Sequence, residues 1–333
     1  MLKVGILGFG FMGKCHFNAY ASIPDVKVVA LCDIEPERAT QAAAGNLDVG
    51  GGPNLTDVKI GRRFSVFKDA GADLVDICLP TFLHDPFTVR ALKDGFHVMC
   101  EKPMALTPAR CRKMIAARDA TGRKLMIGQC IQFWPEWAYV KELAVSGKYG
   151  KPLSAAIRRL SATPTWAWDN WIVDEARSGG MILDLHVHDA DFVGFVFGKP
   201  RAVLSTGIRN TCNPGSGVDH VFTQYLYDGG PAVSTEGFWA GDPGYPFSMT
   251  YLVKFEKATV MMGPDFKVFP AQGSPFTPTV PAGDGYANEI RYFLDCILQN
   301  QPVAKGRPED AMAAIEMVLA EKKSLLSGRI VRF

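Results

Sequence analysis

Short apolar runs alternate with amphipathic stretches through the first third of the chain. Residues 3–7 are apolar and run into a glycine turn, as expected of a strand buried on both faces. Residues 11–22 read as helix and 26–32 as a second buried strand. Residues 35–44 read as helix, with Pro36 in the first turn, where a missing N–H does no harm. The glycine-rich stretch 45–61 reads as a surface loop. The alternation resumes with strand at 74–79, helix at 84–93, strand at 96–100, helix at 108–120 and strand at 124–128. Such alternation predicts a parallel sheet with right-handed crossovers.

After about Gln129 the texture changes. Tryptophan becomes frequent (Trp134, Trp137, Trp166, Trp168, Trp171), and one helix is expected after the Gly179-Gly180 pair. Residues 202–260 are strand-like, with turns at Asn213-Pro214-Gly215 and Asp228-Gly229-Gly230. Helix returns at 288–299 and 308–326. The pattern predicts an α/β chain whose second domain is α+β with a largely antiparallel sheet.

Composition narrows the class. A chain of 333 residues fits two domains of usual size. Its 36 Lys plus Arg nearly balance 34 Asp plus Glu, so neither nucleic acid nor an anionic membrane is an expected partner. The eight cysteines form no C-x-x-C pair, and several lie in apolar runs such as Val75-Asp76-Ile77-Cys78-Leu79. Reduced, buried thiols are expected rather than disulfides or a thiolate zinc site. No signal-peptide core or membrane-length apolar segment is apparent, and the chain reads as soluble and cytoplasmic.

The sharpest local pattern is Gly8-x-Gly10-x-x-Gly13, which follows the first strand and opens the first helix. Gly8 permits the tight turn, Gly10 lets backbone approach a pyrophosphate, and Gly13 allows close helix–strand packing. The helix start offers unpaired N–H groups and a positive dipole end to the phosphates. Asp33 ends the second strand twenty residues on, where its carboxylate can bind the adenine ribose hydroxyls and repel a 2′-phosphate. NAD is therefore expected ahead of NADP, a preference that Arg38 could soften.

Residues 96–100 lead into Glu101-Lys102-Pro103. Ligands of such sheets bind at the carboxyl ends of the strands, which puts Lys102 near the nicotinamide. A surface lysine is the plainer alternative, but Pro103 fixes the backbone there and admits a cis bond. A second cluster is Asp184-Leu185-His186-Val187-His188-Asp189. On one helix Asp184 and His188 share a face while His186 points elsewhere, a pairing suited to proton transfer. A metal site would need His186 and His188 to converge, so no metal is expected. A capped helix with a core histidine is the bland alternative.

Taken together these segments resemble the glucose–fructose oxidoreductase, inositol dehydrogenase and rhizopine-catabolism (Gfo/Idh/MocA) family. The resemblance runs through Gly8-Phe9-Gly10-Phe11-Met12-Gly13, Cys32-Asp33, Leu79-Pro80-Thr81 with His84, and Gly95-Phe96-His97-Val98 before Glu101-Lys102-Pro103. It continues in Trp171-x-x-Asp174, Gly179-Gly180 and Asp184-x-x-x-His188-x-x-Asp191. It implies a Rossmann domain with a doubly wound parallel sheet over 1–128. It implies an α+β domain over 129–333 with a large open, mostly antiparallel sheet whose exposed face makes homodimers or homotetramers. The final helices have the reach to pack back on the first domain.

The resemblance carries Lys102, Asp184 and His188 over as the catalytic set. The cofactor set becomes Gly8, Gly10, Phe11, Met12, Gly13, Asp33, Ile34, Arg38, Leu79, Pro80, Thr81, His84, Glu101 and Lys102. The substrate set becomes Lys102, Gln132, Trp168, Asp184 and His188. The expected activity is hydride transfer between NAD(P) and a secondary alcohol of a sugar, cyclitol or related polyol. A glycoside-cleaving enzyme with no net redox and a non-enzymatic NAD-binding sensor are the alternatives. Two departures stand out. Gln129-Cys130-Ile131-Gln132-Phe133-Trp134 replaces the family's Asn-Arg-Arg-Phe-like stretch, and Trp166 and Trp168 crowd the approach to the Asp–His segment, where they could stack on a sugar ring or serve a core or interface.

Overall fold

The computed structural model describes residues 1–40 and 55–333, and the chain divides into two compact units. The first comprises Met1–Cys130, Trp166–Trp171 and Asp284–Met312; the second comprises Ile131–Thr165, Ile172–Gly283 and Ala313–Phe333.

The first unit runs β1 (Leu2–Leu7), α1 (Phe11–Ala21), β2 (Val26–Cys32), β3 (Lys59–Gly61), α2 (Val66–Asp69), β4 (Leu74–Ile77), α3 (His84–Lys93), β5 (His97–Glu101), α4 (Pro108–Thr121) and β6 (Leu125–Gly128). Among the described residues its strands form a six-stranded parallel sheet in the order β3-β2-β1-β4-β5-β6. Strand order therefore reverses between β1 and β4, the switch point outside which such sheets bind ligands. Leu7 pairs with both Cys32 and Ile77, so the carboxyl ends of the three central strands lie level there.

Two local expectations need correction. The stretch expected to be loop ends in β3, an edge strand exposed on both faces, which leaves no apolar alternation to read. Residues 45–54 of that stretch lie outside the described residues. Where helix is expected over 35–44, Pro36–Thr40 is a 3-10 turn and residues 41–44 lie outside the described set. Pro-Glu-Arg-Ala-Thr offers one apolar position, too few for a buried helix face.

The second unit runs α5 (Pro135–Ser146), β7 (Pro152–Ala162), α6 (Glu175–Ser178), α7 (Gly180–Asp184), α8 (Val187–Phe197), β8 (Ala202–Arg209), β9 (Val218–Leu226), β10 (Ala232–Ala240), β11 (Ser248–Phe255), β12 (Ala258–Met262) and β13 (Phe266–Pro270). After α9 (Gly285–Leu298), which lies against α1 in the first unit, come α10 (Pro308–Ser327) and β14 (Val331–Arg332). The second sheet is open, ordered β13-β12-β11-β7-β10-β9-β8-β14. All its neighbours are antiparallel except β7 and β10, which run parallel. Helices α7 and α8 lie against it, while Ile208, Phe222, Leu252 and Phe269 share its exposed face by register.

The single helix expected after Gly179-Gly180 is two. The amides of Leu185 and His186 both reach back to the Met181 carbonyl, and Asp189 restarts the ladder on His186. Asp184 thus closes α7 and His188 lies in the first turn of α8. No proline or glycine marks this break in the sequence. Cys32, Cys100, Cys111, Cys130 and Cys296 are buried, and Cys15, Cys78 and Cys212 are half-buried. Among the described residues no helix is long and apolar enough to cross a membrane.

Candidate active site

The glycine loop has the shape the phosphate reading requires. Gly8 adopts φ +89°, and its amide donates to the Cys32 carbonyl at 2.8 Å. A β-carbon on Gly8 would stand 2.6 Å from the Cys78 carbonyl oxygen. Gly10 caps α1 in extended conformation, with open space where a β-carbon would be. The first intrahelical bond runs from Lys14 N–H to the Gly10 carbonyl at 3.1 Å, so the amides ahead of it have no partner within the helix. No acid occupies the first turn. The loop offers donors, a positive dipole end and backbone access, which fits a dinucleotide pyrophosphate.

Asp33 is buried and ties the loop to β2. Its Oδ2 accepts the Phe9 amide at 2.7 Å and its Oδ1 accepts the Glu35 amide at 2.9 Å. Each oxygen keeps a further lone pair for a ribose hydroxyl. Ile34 beside it is exposed, and the side chain of Arg38 lies outside the described part of the structure. The Phe11 ring lies 5.2 Å from Trp166, which belongs to the same unit.

Beyond β4, Leu79 and Pro80 are half-buried and Thr81 is buried. The His84 ring nitrogens lie 2.7 Å from the Leu79 carbonyl oxygen and 2.8 Å from that of Pro103. His84 thus joins the end of β4 to the Glu101-Lys102-Pro103 turn, whose Lys102–Pro103 bond is cis. Burial lowers the His84 pKa, against the pull of the two carbonyls. Lys102 is half-buried, and its amide donates to Glu101 Oε2 at 3.0 Å.

Glu101 faces a histidine that the sequence reading passed over. His16, fully buried on α1, lies 2.8 Å from Asp76 Oδ2 through Nδ1. Its Nε2 lies 3.0 Å from Glu101 Oε1, close enough for an ion pair though outside hydrogen-bond geometry. Burial opposes charge on the imidazole, but Asp76 and then Cys78 outweigh it and hold the pKa well above the ordinary histidine value. Burial likewise opposes charge on Glu101, and His16 with Lys102 outweighs it, lowering the pKa. A signal was available: Asp76 stands inside the apolar run Leu-Val-Asp-Ile.

In the second unit, Asp174 caps α6 by accepting the Ala176 amide at 2.9 Å. Gly179 and Gly180 both have positive φ, and a β-carbon on Gly180 would collide with the Ser216 carbonyl oxygen. This turn launches α7 and brings Asp184 to the joint before His188. Gln132 is buried and donates to Asp191 Oδ2 at 2.8 Å. Trp168, counted with the first unit, is 38 % exposed and begins a segment in which Asp169 and Asn170 have positive φ.

His186 turns into the sheet. Its Nε2 lies 3.0 Å from Glu321 Oε2 and 3.1 Å from Thr235 Oγ1, and its Nδ1 lies 3.5 Å from Asp189 Oδ2. Glu321 also accepts from Tyr225 at 2.7 Å and Thr223 at 2.9 Å, and Arg159 pairs with Asp189 at 3.1 Å. Burial would lower the His186 pKa, but Glu321, with Asp189 behind it, raises it to about 9.

Residues 2–129 match the family model described as an oxidoreductase family with an NAD-binding Rossmann fold. Residues 137–261 match the C-terminal domain of the same Gfo/Idh/MocA family. The chain belongs to this family. Gfo/Idh/MocA proteins are NAD-binding, in agreement with the Asp33 spacing. An inositol 2-dehydrogenase of Rhizobium meliloti is 26% identical over 98% of this chain and 98% of its own length. A D-glucoside 3-dehydrogenase of Escherichia coli is 29% identical over 60% of this chain, a match that takes in 55% of that relative. An inositol 2-dehydrogenase of Saccharopolyspora erythraea is 31% identical over 65% of this chain and 60% of its own length, so the chain spans just over half of these two relatives. The fold is shared with an aldose-aldose oxidoreductase of Caulobacter crescentus, solved with glycerol, at TM-score 0.85 and 23% identity over 100% of this chain and 99% of that one.

Proposed function

We propose that the chain is an NAD-dependent dehydrogenase acting on a secondary alcohol of a sugar, cyclitol or related polyol. The observation that carries this reading is the place of Lys102, at the carboxyl end of β5 in the sheet of an NAD-binding family. When bound, the nicotinamide ring takes or gives the hydride. Lys102 polarises the reacting oxygen of the substrate and favours its alkoxide character. His188 exchanges the proton of that hydroxyl, since an imidazole can act as either acid or base. Asp184 fixes a neighbouring hydroxyl. Trp168 offers an aromatic face to the ring, and Gln132 acts through Asp191. The inositol and glucoside dehydrogenases among the relatives support this substrate class. Buried thiols fit a cytoplasmic setting, and the exposed sheet face fits pairing between copies.

The test mixes purified protein, NAD or NADP and a panel of sugars and inositols, and follows nicotinamide reduction. Turnover with at least one polyol is expected. Lys102→Ala and His188→Ala should each lower kcat by about 10²–10⁴-fold while NAD still binds. Absence of turnover with every polyol and both cofactors overturns the reading.

A further inference from the structure

His16 is one turn beyond the glycine loop, yet it touches the segment that carries Lys102. Its two ring nitrogens face carboxylates on two different strands, Asp76 of β4 and Glu101 of β5. Facing both, the ring carries both protons, since each carboxylate offers only acceptors. Tyr20, one helical turn on, donates to the same Asp76 oxygen at 3.0 Å, and Cys78 Sγ donates to the other at 3.6 Å. Glu101 is held at both of its oxygens, by His16 on one side and by the Lys102 amide on the other. Gly128 on β6 leaves the room: a β-carbon there would stand 3.2 Å from Glu101 Oε1.

From α9 comes Glu289, fully buried, with a carboxyl oxygen within 4.8 Å of both His16 and Glu101. Burial first, and then the Glu101 charge, hold Glu289 well above the usual carboxylate range, so it faces the pair as a neutral acid. The further titratable groups around this cluster include Cys15, Tyr286, Asp284 and His84.

We propose that His16 is a positioning residue for Lys102, acting through Glu101 to fix the peptide from which the lysine side chain departs. Orienting that peptide sets the direction of the Lys102 Cα–Cβ bond, and an error of an ångström at a reacting group costs about 10²-fold in rate. The same residue belongs to the helix that receives the pyrophosphate, so cofactor and lysine share one anchor. The inference rests on Lys102 serving the reaction proposed above.

Two substitutions separate this role from a structural one. His16→Asn keeps a donor where Nδ1 meets Asp76 and abandons Glu101; His16→Gln keeps a donor near Nε2 and abandons Asp76. Both are compared with wild type for thermal midpoint, NAD affinity, and kcat and KM with the best polyol. The expected result is a loss of kcat of about tenfold or more in His16→Asn, with NAD affinity and KM little changed, and a smaller loss in His16→Gln. The opposite ranking, or kcat near wild type in both, overturns the proposal, because the Asp76 bond or general packing would then be what matters. A second measurement needs no substrate. Acylation of the Lys102 amine is followed over time at one pH by mass spectrometry of its peptide. The rate should change by about threefold or more in His16→Asn and less in His16→Gln as the amine is redirected; equal curves in wild type and both variants overturn the proposal. If wild type turns over no polyol, the dehydrogenase reading falls and the acylation curves still decide the positioning role. Should His16→Asn not fold, Glu101→Gln, which keeps an acceptor for the Lys102 amide but loses the charge facing His16, takes its place in both measurements with the same outcomes.

Discussion

A methyl group on the Gly13 α-carbon would land on the Gly8 carbonyl oxygen. At Gly10, by contrast, the space is open and φ is −77°, a conformation any residue accepts. The two glycines therefore separate fold from ligand. Gly13→Ala should cost about 1–3 kcal/mol in denaturant unfolding through overpacking. Gly10→Ala should leave stability unchanged or raise it by about 0.5 kcal/mol, yet weaken NAD binding by about tenfold or more because the backbone can no longer approach the pyrophosphate. Paired unfolding and calorimetric titrations check both.

Asp33 holds the loop, and the ribose role proposed for it can be tested apart from that. Asp33→Ala leaves the Phe9 and Glu35 amides without their acceptor, a loss of about 1–3 kcal/mol where the amide stays buried. It also removes the charge that repels a 2′-phosphate. NAD affinity should fall while the ratio of NADP to NAD affinity rises. An unchanged ratio would show that Asp33 acts on the loop alone.

Much of this was legible in the sequence because the physics was local. Short apolar runs located β1, β2, β4, β5 and β6, and the helix at His84–Lys93 matched residue for residue. Edge strand β3, with no buried face, gave no period. Strand β7 and helix α5 were also passed over. Of the candidate site, the glycines, Asp33 and Lys102 were singled out by spacing that has a mechanism. His16, Glu289 and Glu321 were not, because each takes its meaning from a partner distant in the chain. His186 was read as pointing away from Asp184 and His188; its place between Glu321 and Asp189 needed the sheet and α10.

His186 should make stability depend on pH. Its pKa is raised, so its contribution is complete below about pH 6.5 and is lost as pH climbs through about 9. That contribution is of order 3 kcal/mol at most. Between pH 6 and 9.5 wild type should lose more unfolding free energy than His186→Gln, which removes the imidazole from this site. Parallel pH curves for the two proteins would remove His186 as the cause. The neighbouring Gly237 should tolerate no side chain, since a β-carbon there would stand 2.5 Å from His186 Nδ1.

The exposed face of the second sheet gives a prediction about assembly. Phe222 is 46% exposed, on the face shared with Ile208 and Leu252. Phe222→Glu should shift sedimentation velocity profiles towards monomer without lowering the thermal midpoint of the subunit. A wild-type protein that is already monomeric at working concentration would sink the pairing role of this face.

The parallel pairing of β7 with β10 has a consequence for how the chain comes off the ribosome. β8, β9 and β10 form one meander and β11, β12 and β13 form another, each made from neighbours in sequence. β7 is synthesised before both and must wait for each to supply a partner. The middle of the sheet is therefore zipped after both meanders, across loops far longer than their own turns and exceeded in this sheet by the one that brings β14 to β8, and a nascent chain is more open to mispairing there than within either meander.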